Sequence, residues 1–256
     1  MANAVATGAY ISSIFAFAGF IYEYFSIDLM HCSCLGVIPY LLGSVFWELF
    51  RDEFQGLISY PGEQLAFLTS LIRQSSKAIR PALSKPAINR LTIGMLWRSA
   101  SSPNLKVKAS EARNLLRCVV YMLENHFELT SRKQLMRYRC VKMFADMYQH
   151  LIEWRGPPSG VEAATCGRRG LILMAELNQL DMQELGHQRR GFSLYAFRHK
   201  MHLLVHCLED QVRIAGNPSE VWCYPDESEI GAAVKVAESL HPKALHRTVI
   251  KKHRVL

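Results

Sequence analysis

The sequence predicts a protein rich in α-helix. In four long segments, apolar residues recur every three or four positions, which places them on one face of an amphipathic helix. These segments are residues 63–79, 110–127, 130–154 and 161–186. Clusters of Pro and Gly separate them, and residues 156–160 form the clearest linker. We expect the fourth helix to be interrupted near residues 167–170, where two glycines stand.

The first 50 residues are strongly apolar and carry no Lys or Arg. The run from Tyr10 to Phe25 fits a strand or a buried helix, because short apolar runs do not distinguish the two. Residues 26–34 are predicted to form a turn, and Pro39 fits the first turn of a helix that ends near Glu53. We interpret this run and the apolar run from Leu35 to Phe50 as buried core, with two membrane spans as the alternative. Each is shorter than the ~20 residues that a membrane-spanning helix needs.

The remaining elements are predicted from helix-capping residues and from the Gly and Pro residues that end helices. Ser110 is a suitable N-cap for the second of the four long helices. Towards the C-terminus, residues 199–213 are predicted to be helical and residues 216–218 to form a turn. Residues 228–239 are predicted to form a short helix that precedes a basic tail.

The chain is basic, and its charge is unevenly distributed. The net charge is +8 and the pI is near 9.2, which favours an acidic partner such as nucleic acid. Residues 51–100 carry +4 and residues 101–155 carry +5, whereas residues 1–50 carry −3. The positive charge of the middle region could therefore lie against a phosphate backbone, or it could form solvated helix faces.

The seven cysteines predict reduced thiols. Their number is odd and their spacing shows no disulfide framework, which favours an intracellular protein, nuclear or cytoplasmic. The first nine residues also lack the basic residues that begin a secretory signal.

Two short signatures lie near the two ends of the chain. The first is an Asp-x-x-His element formed by Asp28 and His31, followed by an apolar helix. The second combines the helical pair His202 and His206 with an acidic turn that begins at Trp222. Together they resemble the distal half of cut-and-paste DNA transposases of the CACTA type, which have an RNase H-like core.

The resemblance implies an α-rich α/β fold, with an incomplete RNase H-like core and an all-helical insertion. Residues 1–55 would supply an N-terminal apolar segment and the Asp-x-x-His piece of the core. Residues 56–155 would be the helical basic insertion. Residues 156–256 would supply the C-terminal core piece, with its acidic helix start and basic tail.

The resemblance also implies that Asp28 and Glu227 are catalytic, metal-binding carboxylates. Asp226 and Glu229 are adjacent rivals for the second position. Such sites hold Mg²⁺, which activates water and stabilises the leaving oxygen during phosphodiester cleavage. The other interpretation is that these acids cap helix N-termini and complement the helix dipole.

The first catalytic Asp of the family is missing, since no Asp precedes Asp28. We therefore expect a truncated or domesticated transposase remnant that is catalytically inactive alone. Mg²⁺ would bind only if the protein were active, and otherwise no cofactor is expected. His31, His202, His206 and Trp222 are signature residues, and we interpret the two helical histidines as structural, with a zinc site as the alternative.

We expect weak, sequence-independent DNA binding by the basic middle region. The residues expected to bind nucleic acid are Arg73, Lys77, Arg80, Lys106, Lys108, Arg113, Arg117, Arg132, Lys133, Arg137 and Arg139. No small-molecule substrate is inferred. The alternatives are a helical interaction protein, a membrane-associated protein with an apolar N-terminal region, and a sequence with no stable function.

Overall fold

A computed structural model describes most of the chain. The described residues are 27–54, 60–79, 88, 90–96, 102–156, 159–185, 193–220 and 222–223. Within them the chain forms helices joined by turns and loops, and no strand. The predicted α/β fold with an incomplete RNase H-like core is therefore wrong for this part of the protein.

Seven helices occur in the described residues. They are α1 (Met30–Glu53), α2 (Pro61–Ala78), α3 (Ile93–Leu96), α4 (Ala109–His126), α5 (Arg132–Glu153), α6 (Ser159–Leu185) and α7, which comprises His199–His206, Cys207–Gln211 and Val212–Ala215. The four predicted long helices are confirmed, and each predicted end lies within two residues of the observed end. The predicted short helix 228–239 and the apolar run 10–25 lie outside the described residues.

Helix α1 begins inside the segment that was predicted to be a turn. Its first part, Met30–Val37, is π-helical, and the N–H of Ile38 donates to the carbonyl of Ser33, five residues earlier. The helix then continues as α-helix over Ile38–Glu48, as expected from Pro39, and ends at Glu53. The sequence pattern missed this start because buried residues occupy nearly every side of the helix rather than one face.

Helix α1 is long and apolar enough to cross a membrane by length and hydropathy alone. The rest of the protein, however, buries 78% of its most apolar 18-residue window. A core helix of a soluble protein can have the same length and hydropathy, because its apolar side chains are covered by protein instead of lipid. This burial agrees with the interpretation of residues 35–50 as core.

A glycine lets a loop lie directly on α1. A Cβ atom built at Gly43 would lie 3.0 Å from the backbone N of Asn104 and 3.0 Å from the carbonyl carbon of Pro103. The N–H of Leu105 donates to the carbonyl of Pro39 at 3.0 Å, which holds the loop in place. The loop that leads to α4 is thereby fixed against the central helix.

Helices α5 and α6 form an antiparallel pair. Ion pairs join Lys133 to Glu184 at one end and His150 to Glu162 at the other. The predicted interruption of α6 is wrong, since the helix runs unbroken from Ser159 to Leu185. Gly170 permits close packing of α6 on α5, because a Cβ atom at this position would lie 2.9 Å from the ring of Phe144.

One hydrophobic core joins residues of α1, α2, α4, α5, α6 and α7. The apolar face predicted for α4 is confirmed, with Leu115, Val119 and Met122 fully buried. The middle helices therefore pack with the elements that carry both sequence signatures, and they do not project from them as a separate lobe. This packing brings the two ends of the described chain together.

Candidate functional site

Asp28 stands at the start of α1 and caps it. Its Oδ2 atom accepts the backbone N–H of His31 at 2.8 Å, and its carbonyl accepts the N–H of Cys32 at 3.1 Å. The ring Nδ1 of His31 also lies 2.6 Å from the same Oδ2. An Asp at a helix N-cap satisfies an N–H group that the helix leaves unpaired, so the helix start itself orients the carboxylate.

Cys223 meets Asp28 and His31 from the far end of the chain. Its backbone N–H donates to Oδ1 of Asp28 at 2.9 Å. Its Sγ lies 3.2 Å from Oδ2 of Asp28 and 3.2 Å from Nδ1 of His31. We call Asp28, His31 and Cys223 the Asp28 cluster. Sequence reasoning placed Asp28 and His31 in the site but missed Cys223, because no local spacing links residues 195 positions apart.

The second signature therefore contacts the first. Trp222, a residue of that signature, lies under the guanidinium of Arg113, whose Cζ is 5.3 Å from the ring centroid. Arg113 belongs to α4, so this cation–π contact holds the C-terminal segment against the helical core. Cys223 thus brings the C-terminal segment into contact with Asp28, whereas Glu227, Asp226 and Glu229 lie outside the described residues.

The cluster is open to solvent and favours an ionised carboxylate. The side chain of His31 is 51% exposed and that of Asp28 is 23% exposed. Partial burial raises the pKa of Asp28, but hydrogen bonds from the backbone N–H groups of Cys223 and His31, together with those of the two side chains, lower it by more. The pKa of Asp28 therefore lies below its ordinary value of 3.8.

The geometry does not fit a nucleophilic relay. A Cys-His-Asp relay needs the imidazole to contact the thiol through one nitrogen and the carboxylate through the other. Here the thiol and the carboxylate both approach Nδ1 of His31. Three ligand atoms instead converge within 4.8 Å of one another, an arrangement that can hold a metal ion.

Magnesium is a poor match for the described part of this site. Mg²⁺ prefers oxygen ligands, whereas the neighbours of Asp28 are an imidazole nitrogen and a thiol sulfur. The predicted role of Glu227 as a second magnesium ligand stays a prediction, because that residue is outside the described ranges.

His202 and His206 lie together on the outer side of α7. Their Nε2 atoms are 3.0 Å apart, and Nδ1 of His206 is 2.5 Å from Oδ2 of Asp210. His202 is exposed and the side chain of His206 is 44% exposed. These histidines therefore do not pack in the core, although they share a face as their spacing predicts.

The residues predicted to bind nucleic acid fall into four groups. Those with exposed side chains are Arg73, Lys77, Lys106, Lys108, Arg132 and Arg139. Arg113 and Arg117 are half-buried, and Arg80 lies outside the described residues. Lys133 and Arg137 are committed to ion pairs within the protein, so neither is placed to meet a phosphate.

The ion pairs of Lys133 and Arg137 surround a carboxylate in the core. The side chain of Glu48 is fully buried, with Lys133 Nζ 2.9 Å from its Oε1. The hydroxyl of Tyr195 donates to Oε2 of Glu48. Arg137, only 2% exposed, lies 3.8 Å from Glu48 and 2.9 Å from Glu53. Burial and the neighbouring carboxylate raise the pKa of Tyr195 well above its ordinary value of 10.0.

Arg51 completes this group, which we call the Glu48 network: Glu48, Arg51, Lys133, Arg137 and Tyr195. The guanidinium of Arg51 lies 3.2 Å from the buried Asp181 and 2.5 Å from Asp52. Tyr195 has a φ of +53°, a left-handed conformation that is uncommon for a non-glycine residue. The network therefore fixes an unusual backbone position and joins α1, α5 and the turn before α7.

A basic groove lies between α2 and the segment that follows it. The groove has a volume of about 470 Å³ and is lined by Arg73, Arg90, Thr69, Ser70 and Thr92, among others; the described residues that line it include no carboxylate. The hydroxyl of Thr69 accepts the N–H of Leu91 at 3.2 Å, which ties the two sides together. Sequence reasoning missed Arg90 because it stands in an irregular, proline-rich stretch without periodicity.

Comparison with known proteins assigns no family to this arrangement. The chain matches no protein-family model, no curated protein and no solved structure. The resemblance to transposases therefore rests on the two sequence signatures, and it stays a prediction.

Proposed function

We propose that the protein binds DNA weakly and without sequence preference, through the groove between α2 and residues 90–93. The observation that carries this proposal is the presence of Arg73 and Arg90 in one concave surface, whose lining among the described residues includes no acid. Because guanidinium groups bind phosphate through two parallel N–H donors, two arginines in one groove suit successive phosphates.

Further basic residues support the same role. Lys77 stands one helical turn from Arg73 on α2, and both side chains are exposed. Thr92 also lines the groove, and a hydroxyl is one of the neutral groups that often contact phosphate oxygens. Such contacts position a protein on a nucleic acid without reading its sequence.

The proposal includes the absence of catalysis by the chain alone. A two-metal phosphodiesterase site needs several carboxylates around the ions. In the described residues, Asp28 has a nitrogen and a sulfur as its potential co-ligands instead. Incubation with duplex DNA and Mg²⁺ or Mn²⁺ should give no cleavage. Cleavage that is lost in Glu227→Gln would contradict this part of the proposal.

Binding is tested by a salt titration of a variant with both groove arginines removed, Arg73→Ala with Arg90→Ala. Each phosphate contact releases counterions, so the slope of log affinity against log salt should become shallower by about two. The matched control is Arg169→Ala with Arg213→Ala, which removes two exposed arginines outside the groove.

The control should bind nearly as the wild type does, since its net charge falls equally but the groove is intact. Equal losses of affinity in the two double variants would mean that only net charge matters, and would refute the groove. Absence of binding by the wild type at low salt would refute DNA binding altogether.

A further inference from the structure

We propose that the Asp28 cluster is a zinc site, in which Oδ2 of Asp28, Nδ1 of His31 and Sγ of Cys223 bind one Zn²⁺. This site is independent of the proposed DNA-binding groove. It shares Asp28 with the magnesium site that the family resemblance implies, but its other ligands and its metal differ.

The ligand types select the metal. Zn²⁺ is bound in proteins by thiolate sulfur, imidazole nitrogen and carboxylate oxygen, and it tolerates mixtures of the three. Thiolate and imidazole ligands favour zinc and other transition metals over magnesium and calcium. One ligand of each type is present here, and each presents one atom towards the other two.

The distances between the ligand atoms are close to those of a tetrahedral zinc site. Bond lengths of zinc complexes imply about 3.3 Å between the oxygen and nitrogen ligands, and about 3.5 Å between sulfur and either of them. The corresponding distances here are 2.6 Å between oxygen and nitrogen, and 3.2 Å from sulfur to each. Admitting the ion requires the triangle to expand by less than about 1 Å.

Contacts around the cluster pre-position the ligands. The other carboxylate oxygen of Asp28 accepts the N–H of Cys223 at 2.9 Å, which fixes both residues relative to each other. Trp222 is held by its contact with Arg113 of α4. The N–H of His31 donates to Asp28 at the helix start, which places these two side chains next to each other. All three ligands are therefore oriented before a metal binds.

Three protein ligands leave a fourth coordination position. His31 is 51% exposed, so water can reach the cluster and complete the tetrahedron. A metal bound here would join the start of α1 to a segment 195 residues later. We therefore infer that zinc fastens the C-terminal segment to the helical core.

Cobalt titration of the full chain tests the site. Co²⁺ substitutes for zinc and gives a thiolate-to-metal absorption band in the near ultraviolet when a cysteine binds it. We expect a band that saturates at one equivalent and that zinc abolishes. Cys223→Ser should remove the band, whereas Cys166→Ser, which changes another partly exposed cysteine, should retain it.

A second measurement follows folding stability. Zinc at 100 times its dissociation constant should raise the melting temperature of the wild type by roughly 5 to 10 °C, because it binds the native state. His31→Gln should lose this shift, and its exposed position makes the substitution tolerable even if Cys223→Ser fails to fold. His202→Gln with His206→Gln should keep it.

Three results would overturn the proposal. These are a wild type without the cobalt band, a band that persists in Cys223→Ser, and a thermal shift that disappears only in the variant of His202 and His206. The last result would assign the metal to the exposed histidine pair on α7, whose Nε2 atoms are 3.0 Å apart.

Discussion

The two ends of helix α1 carry polar groups of opposite character. At its start, the Asp28 cluster is exposed, and its three side chains meet through single atoms. Near its end, the Glu48 network is buried and surrounds one carboxylate with cations and a phenol. One helix thus supports a cluster whose histidine is half exposed and a network whose central carboxylate is fully buried.

The difference shows how burial assigns roles to similar residues. A buried charge needs counterions and hydrogen bonds, so the side chains of the Glu48 network are committed to one another and to neighbouring acids. In an exposed cluster, replacing the hydrogen bonds by bonds to another ligand costs less folding free energy. Function is therefore expected at Asp28, and structural specificity at Glu48.

The largest effect is expected from Arg137→Met in the Glu48 network. The substitution removes the positive charge that Arg137 places beside Glu48 and Glu53. Because buried negative charges then lack this counterion, the free energy of unfolding should fall by about 3–5 kcal/mol. The control is Arg139→Met, an exposed position on the same helix, which should change stability by less than about 0.5 kcal/mol. Urea unfolding measures both, and similar values would refute the structural importance of the network.

Tyr195→Phe should have the next largest effect. It removes the hydroxyl that donates to Glu48 and should cost about 1–3 kcal/mol of unfolding free energy. Because burial raises the pKa of Tyr195 above 10.0, its contribution is present below pH 10.0 and is lost as the pH rises further.

Stability of the Tyr195→Phe variant should therefore decline less at alkaline pH than that of the wild type. Tyr60→Phe serves as the control, since Tyr60 is 67% exposed. An identical alkaline decline in the wild type and Tyr195→Phe would show that the Tyr195 hydroxyl does not couple to folding.

At the other end of α1, Asp28→Ala should cost about 1 kcal/mol in the metal-free protein. The substitution removes the acceptor for the N–H groups of His31 and Cys223. Asp28→Asn keeps one oxygen, which can accept one of these two N–H groups but not both, so it should cost less than Asp28→Ala. Thermal unfolding in the presence of a chelator makes the comparison, and equal losses would mean that charge, not capping, stabilises this helix start.

The smallest effect concerns salt and distinguishes the two ends electrostatically. Burial raises the pKa of Asp52, but the hydrogen bonds and charge of Arg51, with the charges of Lys133 and Arg137, lower it below 3.8. For Asp28 the lowering comes from hydrogen bonds. Salt screens charges more than short hydrogen bonds, so it should raise the pKa of Asp52 more than that of Asp28.

Both carboxylates stabilise the folded protein above pH 3.8, and this contribution is lost as the pH falls below that value. Carboxyl-carbon NMR titrations at low and high salt measure the two pKa values separately. A larger salt response at Asp28 would contradict the assignment of causes.

Local sequence determined where most helices lie. The prediction of a helix over residues 130–154 agrees with Arg132–Glu153, because Ser131 caps it by accepting the N–H of Gln134 at 3.1 Å. The apolar face of α4 likewise follows from helical spacing. Such features depend on contacts within one or two turns, and these contacts are encoded by neighbouring residues.

Tertiary structure alone decided the rest. The start of α1 was misread as a turn because burial on nearly all sides removes the period that marks a helix. The two glycines that suggest a break in α6 instead make room for side chains, Gly170 for Phe144 and Gly167 for Leu208. Lys133 and Arg137 look like a basic patch in sequence, but their partner Glu48 comes from another helix. Cys223 joins Asp28 and His31 only because packing closes the chain across 195 positions, a separation at which spacing carries no signal.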